Sequence, residues 1–218
     1  MKTSIRYEIT KIGFLALLAF AICFIAKAYA GEHMMKSTKT ETIVLAGGCF
    51  WGVEAVFEHT KGVVDAVSGY AGGKADTAQY DAVSSGTTGH AEAVKITYDP
   101  TKISLDTLLD IYFNVAHNPT QLNYQGPDHG TQYRSAIFYA GDEQKKEAEN
   151  KITVLDKNYV FSDPIVTKLE KIEQFYPAEE YHQNYAALHP MQPYIVIHDA
   201  PKVAKLKSLY PDLYKEQK

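Results

Sequence analysis

Two cysteines are all that this chain of 218 residues carries, which excludes a small domain stapled by disulfides. A cationic excess is missing too: 22 Lys and Arg stand against 26 Asp and Glu, a formal net charge of −4. Nucleic-acid binding needs a clustered cationic face to neutralise phosphates, so no nucleic-acid partner is expected. Ile12 to Ala26 carries no charge over 15 residues, short of the ~20 that span a bilayer. Metal-ligand spacing is also absent. No His-x-x-x-His occurs, only His182 and His189 form a histidine pair with a short gap, and Cys49 has no second cysteine near it, so no metal is expected. Glycine-rich pieces such as Ser68 to Gly73 lack the pattern of a phosphate or dinucleotide loop. What remains, at 45% hydrophobic and 22% charged residues, is the composition of a globular chain with a core, which excludes disorder and collagen-like repetition.

Lys2, Arg6 and Lys11 precede the uncharged run, Lys27 closes it, and Ala28-Tyr29-Ala30 supplies a small-x-small cleavage pattern. Residues 1–30 therefore read as a signal peptide cleaved near Ala30, with the mature chain exported, in the periplasm, and no stable membrane insertion after cleavage. Ile22 just before Cys23 argues against a lipid-modified cysteine. Cleavage removes four basic residues and one acidic residue, leaving 18 basic against 25 acidic, a net of −7, and Cys49 as the one cysteine. A lone thiol in an oxidising compartment is inert in the core, paired with another chain, or chemically used.

Residues 31–40 (GEHMMKSTKT) are polar and aperiodic, a linker. A catalytic-size domain is expected over 41–200, followed by a C-terminal tail over 201–218. Thr42 to Ala46 reads as a strand, Gly47-Gly48 breaks it, and Cys49 to Thr60 has Phe50, Val53, Val56 and Phe57 at helical spacing. Residues 63–68 read as a strand, Gly69 to Gly73 as a turn, Lys74 to His90 as a long connection and Ala91 to Tyr98 as an alternating strand. Ser104 caps a helix with Leu105, Leu108, Leu109, Tyr112 and Phe113 on one stripe. Asn118 to Arg134 is a polar loop, Ser135 to Ala140 a strand, Asp142 caps a helix to about Asn158, and Ile165 to Lys171 is a further strand. This order predicts an α+β fold: a two-layer sandwich with a ferredoxin-like βαββαβ core on a mixed or antiparallel sheet.

Cys49 falls at the first turn of a helix directly after a strand, where free N–H groups and the helix dipole favour a thiolate and lower the thiol pKa from its usual ~8.5. That suits a nucleophile, although a single cysteine is as often a small core residue. Phe50 and Trp51 beside it are either core aromatics or the walls of an apolar pocket. Glu92 shares a strand face with Val94, Ile96 and Tyr98; if buried there it stays protonated near neutral pH and serves as a general acid, and if at an exposed strand end it is a solvated carboxylate. Asp128 and His129 in the loop 126–135, with His90, leave open a Cys-His-Asp hydrolase. Of 14 tyrosines after residue 30, Tyr70, Tyr80, Tyr124, Tyr133 and Tyr194 sit in loops, placed either to pack or to donate hydrogen bonds to a substrate oxygen.

The strings GGCFWGVE (47–54), SGYAGG (68–73), TGHAEAV (88–94), DHGTQYRS (128–135) and EYHQNY (180–185), in this order, resemble the A-type peptide methionine sulfoxide reductases, over about residues 41–200. The resemblance implies reduction of the S epimer of methionine sulfoxide, with Cys49 attacking the sulfoxide sulfur and Glu92 protonating the departing oxygen. It further implies a methyl pocket of Phe50 and Trp51, oxygen-binding hydroxyls on Tyr80 and Tyr133, a polar side organised by Asp128, and Tyr194 as a third tyrosine. A sulfenic acid on Cys49 would follow. Many members capture it with a second cysteine in a glycine-rich C-terminal segment; residues 186–218 contain none. The chain therefore resembles the single-cysteine members, with no bound cofactor and an external thiol as reductant, thioredoxin-like, glutaredoxin-like or small. Its partners would be that thiol and oxidised proteins or peptides, and the chain itself a monomer.

Overall fold

The computed structural model describes residues 39–216; the expected signal peptide, Cys23 and most of the expected linker lie outside the described residues. The fold is mixed α+β, six strands in one sheet with helices packed on it. The strands of that sheet are β1 (Glu41–Gly47), β2 (Val63–Ala71), β3 (Ala91–Tyr98), β6 (Ser135–Tyr139), β7 (Lys168–Lys171) and β8 (Phe175–Pro177), in the order β7-β6-β1-β3-β2-β8. The short β4 (Tyr124–Gln125) and β5 (Asp128–His129) pair separately, inside what reads from sequence as loop. Among the described residues only β6 and β7 pair in parallel; every other strand pairing is antiparallel.

Both faces of the sheet are buried, and this is why β1 is an unbroken apolar run rather than an alternating one. Ile43 and Leu45 join the main core with Val94, Ile96 and Ile137, whereas Val44 and Ala46 pack on the opposite face with Ala91, Ala93, Ala136 and Phe138. Helix α1 (Phe50–Glu58) covers the main-core face through Phe50, Val53, Val56 and Phe57. Helix α3 (Leu105–Ile111) does so through Leu105, Leu108 and Leu109. Its start is fixed by Ser104, whose hydroxyl accepts a hydrogen bond from the Thr107 N–H at 3.1 Å, and its stripe runs on into Tyr112 and Phe113 through a π turn over Tyr112–Ala116. Between β2 and β3 lies the short α2 (Tyr80–Val83).

Several sequence expectations are corrected. Gly69 to Ala71, expected as turn, continues the strand, because β8 pairs with it, matching Gly69 to Pro177 and Ala71 to Phe175. The glycine there is a packing requirement, since a Cβ at Gly69 would meet the Phe175 ring and the Tyr176 carbonyl. The strand expected from Ile165 starts only at Lys168. Helix α4 (Asp142–Lys157) has Gly141, not Asp142, at its cap position, without a side-chain capping bond; Asp142 and Glu143 instead lie in the first turn, where carboxylates suit the dipole. The C-terminal residues include α5 (Tyr185–Leu188) and α6 (Ala200–Leu209), whose Leu206 is fully buried in the main core.

Candidate active site

The loop between β1 and α1 holds the thiol. Gly48 takes a left-handed backbone (φ +92°), and a Cβ on it would strike the Gln125 side chain, so only glycine makes this joint. Cys49 occupies the helix cap position itself, one residue earlier than a first-turn placement. Behind the joint, Tyr112 donates a hydrogen bond to the Ala46 carbonyl (2.7 Å) and His117 contacts the Ser135 hydroxyl (2.7 Å). Burial holds the His117 imidazole neutral, with its pKa down at about 3.

Glu92, on the main-core face of β3, reaches this helix start: its carboxyl accepts the Phe50 N–H at 3.1 Å, and the side chain is 2% exposed. Burial pushes its pKa up to about 8, against the hydrogen bond from Phe50, and the Asp128 charge adds to the rise. A carboxyl in this setting is protonated at neutral pH. The thiol corrects the sequence expectation. Burial, followed by the charges of Glu92 and Asp199, raises Cys49 well above the ordinary thiol range, and this outweighs the Trp51 N–H and the Lys202 ammonium, which favour the thiolate. A helix of nine residues supplies a dipole worth only ~0.3–1 kcal/mol at its end, less than the desolvation of a sulfur anion. The resting site thus holds two protons, one on sulfur and one on the carboxyl.

Aromatic rings enclose this pair. Trp51 stacks on Tyr185 (centroids 3.8 Å apart, 10° between planes), meets the edge of Tyr194 (6.0 Å), and donates its indole N–H to His182 Nδ1 at 3.2 Å. His182 lies at the centre of the group, 5.0 Å from Phe50 and 4.4 Å from Tyr80. It is buried, and burial lowers its pKa. Tyr194 donates a short hydrogen bond to Asp128. Tyr80, Tyr133 and Tyr194 all feel the Cys49 charge, and burial, ahead of that charge, raises each phenol. All eight expected residues therefore converge on one place: Cys49, Phe50, Trp51, Tyr80, Glu92, Asp128, Tyr133 and Tyr194.

The hydrolase alternative does not assemble. His90 accepts the Gly73 N–H (3.2 Å) on one ring nitrogen and contacts the Lys74 carbonyl (2.9 Å) with the other, while His129 is exposed and stacks on Tyr124. Neither is left to serve as a base for Cys49.

Sequence reasoning missed the supports. Glu54, 1% exposed, accepts the Ser68 N–H of β2 (3.2 Å) and the Asn184 N–H (3.0 Å), tying α1 to the segment that carries His182 and Tyr185. A signal was available: Phe50, Glu54 and Phe57 share one helix face at i, i+4 and i+7, so this carboxylate lies on an apolar stripe. Glu179 accepts from the Tyr70 hydroxyl (2.8 Å) and the Tyr80 N–H (2.9 Å). Gln183 brackets Ser68, accepting from its N–H and donating to its carbonyl, both at 3.0 Å. These are side-chain bonds, mostly to backbone groups, between distant segments, which no local pattern encodes.

Burial also pushes Glu54 up to about 8, so stability depends on pH with a definite sign. Two carboxyls that hold protons up to about 8 when folded release them near their ordinary ~4.3 when unfolded, so stability falls as pH rises through that interval. Below about 6.5 His117 and His182, whose pKa values burial lowers, oppose them, because the unfolded imidazoles take protons that the folded ones resist. The clean window is therefore pH 6.5 to 8. There the unfolding free energy from urea titration should drop steadily, by up to ~1.4 kcal/mol per pH unit for each carboxyl, and Glu54→Gln should halve that slope. A flat free energy across the window would contradict these protonation states.

Comparison with known proteins bears on what such a site does. Residues 41–213 match the family model described as peptide methionine sulfoxide reductase. A curated relative from Mesorhizobium japonicum, "Peptide methionine sulfoxide reductase MsrA 2", is 58% identical over 178 residues, 82% of this chain and 91% of that protein. One of the same name from Synechocystis is 48% identical over 178 residues, covering 82% and 83%. Among solved structures, Mxr1 from Saccharomyces cerevisiae in reduced form superposes with a TM-score of 0.67 at 37% identity, covering 72% of this chain and 90% of that one. Methionine sulfoxide reductase A of Corynebacterium diphtheriae gives 0.61 at 35% identity, covering 72% and 78%. The chain belongs to the peptide methionine sulfoxide reductase family, and its activity is the reduction of methionine (S)-S-oxide to methionine.

Proposed function

We propose that Cys49 is the nucleophile and Glu92 the acid of this reaction. The Cys49 sulfur attacks the sulfoxide sulfur, the S–O bond breaks, and Glu92 delivers a proton to the oxygen as it leaves. In net terms a thiol and a sulfoxide become a sulfenic acid and a thioether, the cysteine sulfur oxidised by two electrons and the substrate sulfur reduced by two. The observation that carries this reading is the Glu92 carboxyl, buried and protonated at neutral pH, bonded to the N–H of the residue after Cys49. Phe50 and Trp51 form the seat of the S-methyl group; Tyr80 and Tyr133 bind the oxygen; Asp128, held by Tyr194, organises the polar side.

The sulfenic acid then meets two equivalents of an external thiol, thioredoxin-like, glutaredoxin-like or small, which regenerate Cys49 and release water and a disulfide. Support for an external donor is that residues 186–218 contain no cysteine and that Cys49 is free. Oxidised proteins and peptides are the substrates, and the chain acts as a monomer without a bound cofactor. Methionine sulfoxide supplied without thiol should yield about one methionine per chain and a dimedone adduct on Cys49; a hydrolase would form no adduct.

The catalytic domain begins at residue 41 and takes in α6 of the expected C-terminal tail, whose Leu206 belongs to the main core, and its inner strands form a ferredoxin-like core. In support of the latter, each neighbouring pair in the order β6-β1-β3-β2 is antiparallel, with α1 crossing between β1 and β2 and α3 between β3 and β6. Export to the periplasm rests on the N-terminal pattern ending at Ala28-Tyr29-Ala30. A mature N-terminus away from Gly31 would refute that cleavage.

A further inference from the structure

The reaction just described uses neither Asp199 nor Lys202, yet this pair presses on the first turn of the catalytic helix. Asp199 is fully buried, at 0% exposed. One of its oxygens pairs with the Lys202 ammonium at 3.1 Å, and the other has no hydrogen-bond partner among the described residues. Both side chains lie against Gly52: a Cβ there would collide with the Asp199 carboxylate and come within 2.6 Å of Lys202 Nζ. Glycine at 52 is thus what lets an ion pair approach the helix backbone three residues after the nucleophile. Asp199 is buried while the Lys202 side chain stays 22% exposed, and for stability alone such a pair is a poor device, because desolvation of the carboxylate cancels most of the attraction.

We propose that the Asp199–Lys202 pair governs how readily Cys49 ionises, with Lys202 favouring the thiolate and Asp199 holding the sulfur in its neutral form. The inference rests on Cys49 being the nucleophile, and both residues act through it as positioning residues. The other groups facing the sulfur are Glu92 from β3, Tyr80 from α2, Tyr133 before β6, and Tyr194 with its partner Asp128. Phe50 and Trp51 put His182 behind them, and His117 lies beneath Gly47. Beside these, Lys202 is the cation placed against the first helical turn that follows the sulfur, and Asp199 the carboxylate paired with it there. The arrangement keeps the nucleophile neutral at rest and leaves a cation at hand when the sulfur loses its proton. Because the two charges reach the same atom with opposite signs, their removal should shift it in opposite directions.

The test is the pH dependence of iodoacetamide alkylation of Cys49 in the reduced, full chain, which needs no sulfoxide and so reads the thiol whether or not the activity assignment holds. Lys202→Met should move the alkylation midpoint up by about one pH unit, slowing the reaction at pH 7 roughly tenfold. Asp199→Asn should move it down by a similar amount, and Lys202→Arg should restore the wild-type profile. Lys205→Met, an exposed residue on the same helix, controls for net charge and should stay within about twofold. Should Asp199→Asn fail to fold, the comparison of Lys202→Met with Lys205→Met decides. A folded Lys202→Met with the wild-type profile, or a shift of Lys202→Met and Asp199→Asn in the same direction, would overturn the proposal.

Discussion

Serine in place of Cys49 is expected to give no methionine from methionine sulfoxide, even over long incubation with excess dithiol. The loss should be complete rather than partial because, in the proposed reaction, the residue does two things. It attacks the sulfoxide sulfur, for which an unactivated hydroxyl is a far weaker nucleophile than a thiolate. It also accepts the oxygen and surrenders two electrons, which a serine oxygen cannot do by the sulfenic acid route. The change is nearly isosteric at a site 9% exposed, so the fold should persist, and a far-ultraviolet spectrum matching the wild type confirms that the loss is chemical. Methionine formation above about one part in a thousand of the wild-type rate would remove Cys49 from the reaction.

Glu92→Gln should cost less, roughly a hundredfold in kcat/KM, the lower part of the range for a positioned general acid. The amide still accepts the Phe50 N–H through its carbonyl oxygen and still offers a hydrogen bond to the sulfoxide oxygen, but it has no proton to transfer. The pH profile distinguishes this from simple loosening. Wild-type activity should decline as pH rises through about 8, where the buried carboxyl loses its proton, and the glutamine variant should lack that limb while keeping any limb that belongs to the thiol. An unchanged alkaline limb in the variant would assign it elsewhere. A variant as active as the wild type would show that solvent, not Glu92, protonates the oxygen.

How far the site could be read from sequence differs from residue to residue. Glu92 was legible because a strand of period two aligned it with Val94, Ile96 and Tyr98, and burial of that face carries the carboxyl with it. The start of α3 was legible because its cap is a local bond between Ser104 and Thr107. The acidity of Cys49 was not. Local sequence showed the helix start but not the depth of the pocket, nor the arrival of Asp199 and Lys202 from 150 residues further along. Strand β8 escaped for the same reason: three residues, Phe175–Pro177, form a strand because β2 offers them a free edge, and their own pattern says nothing. His182 sits in a recognisable string, yet its place among Phe50, Trp51 and Tyr80 follows from Glu54, Glu179 and Gln183 pinning three backbone segments together.

Among the described residues Cys49 is the one cysteine and it is free, which bears on what the chain does when thiols are scarce. By the proposed route it can take up a single two-electron oxidation per molecule, and the described residues offer no second thiol to pass it to. Deprived of a donor, it is a stoichiometric reagent, consumed by the first sulfoxide it meets, and it becomes a catalyst only at the rate at which electrons cross from another molecule. Its output is then set jointly by how much of it is present and by how reducing its surroundings are, so raising its concentration alone extends the single burst without raising the sustained rate per unit of donor.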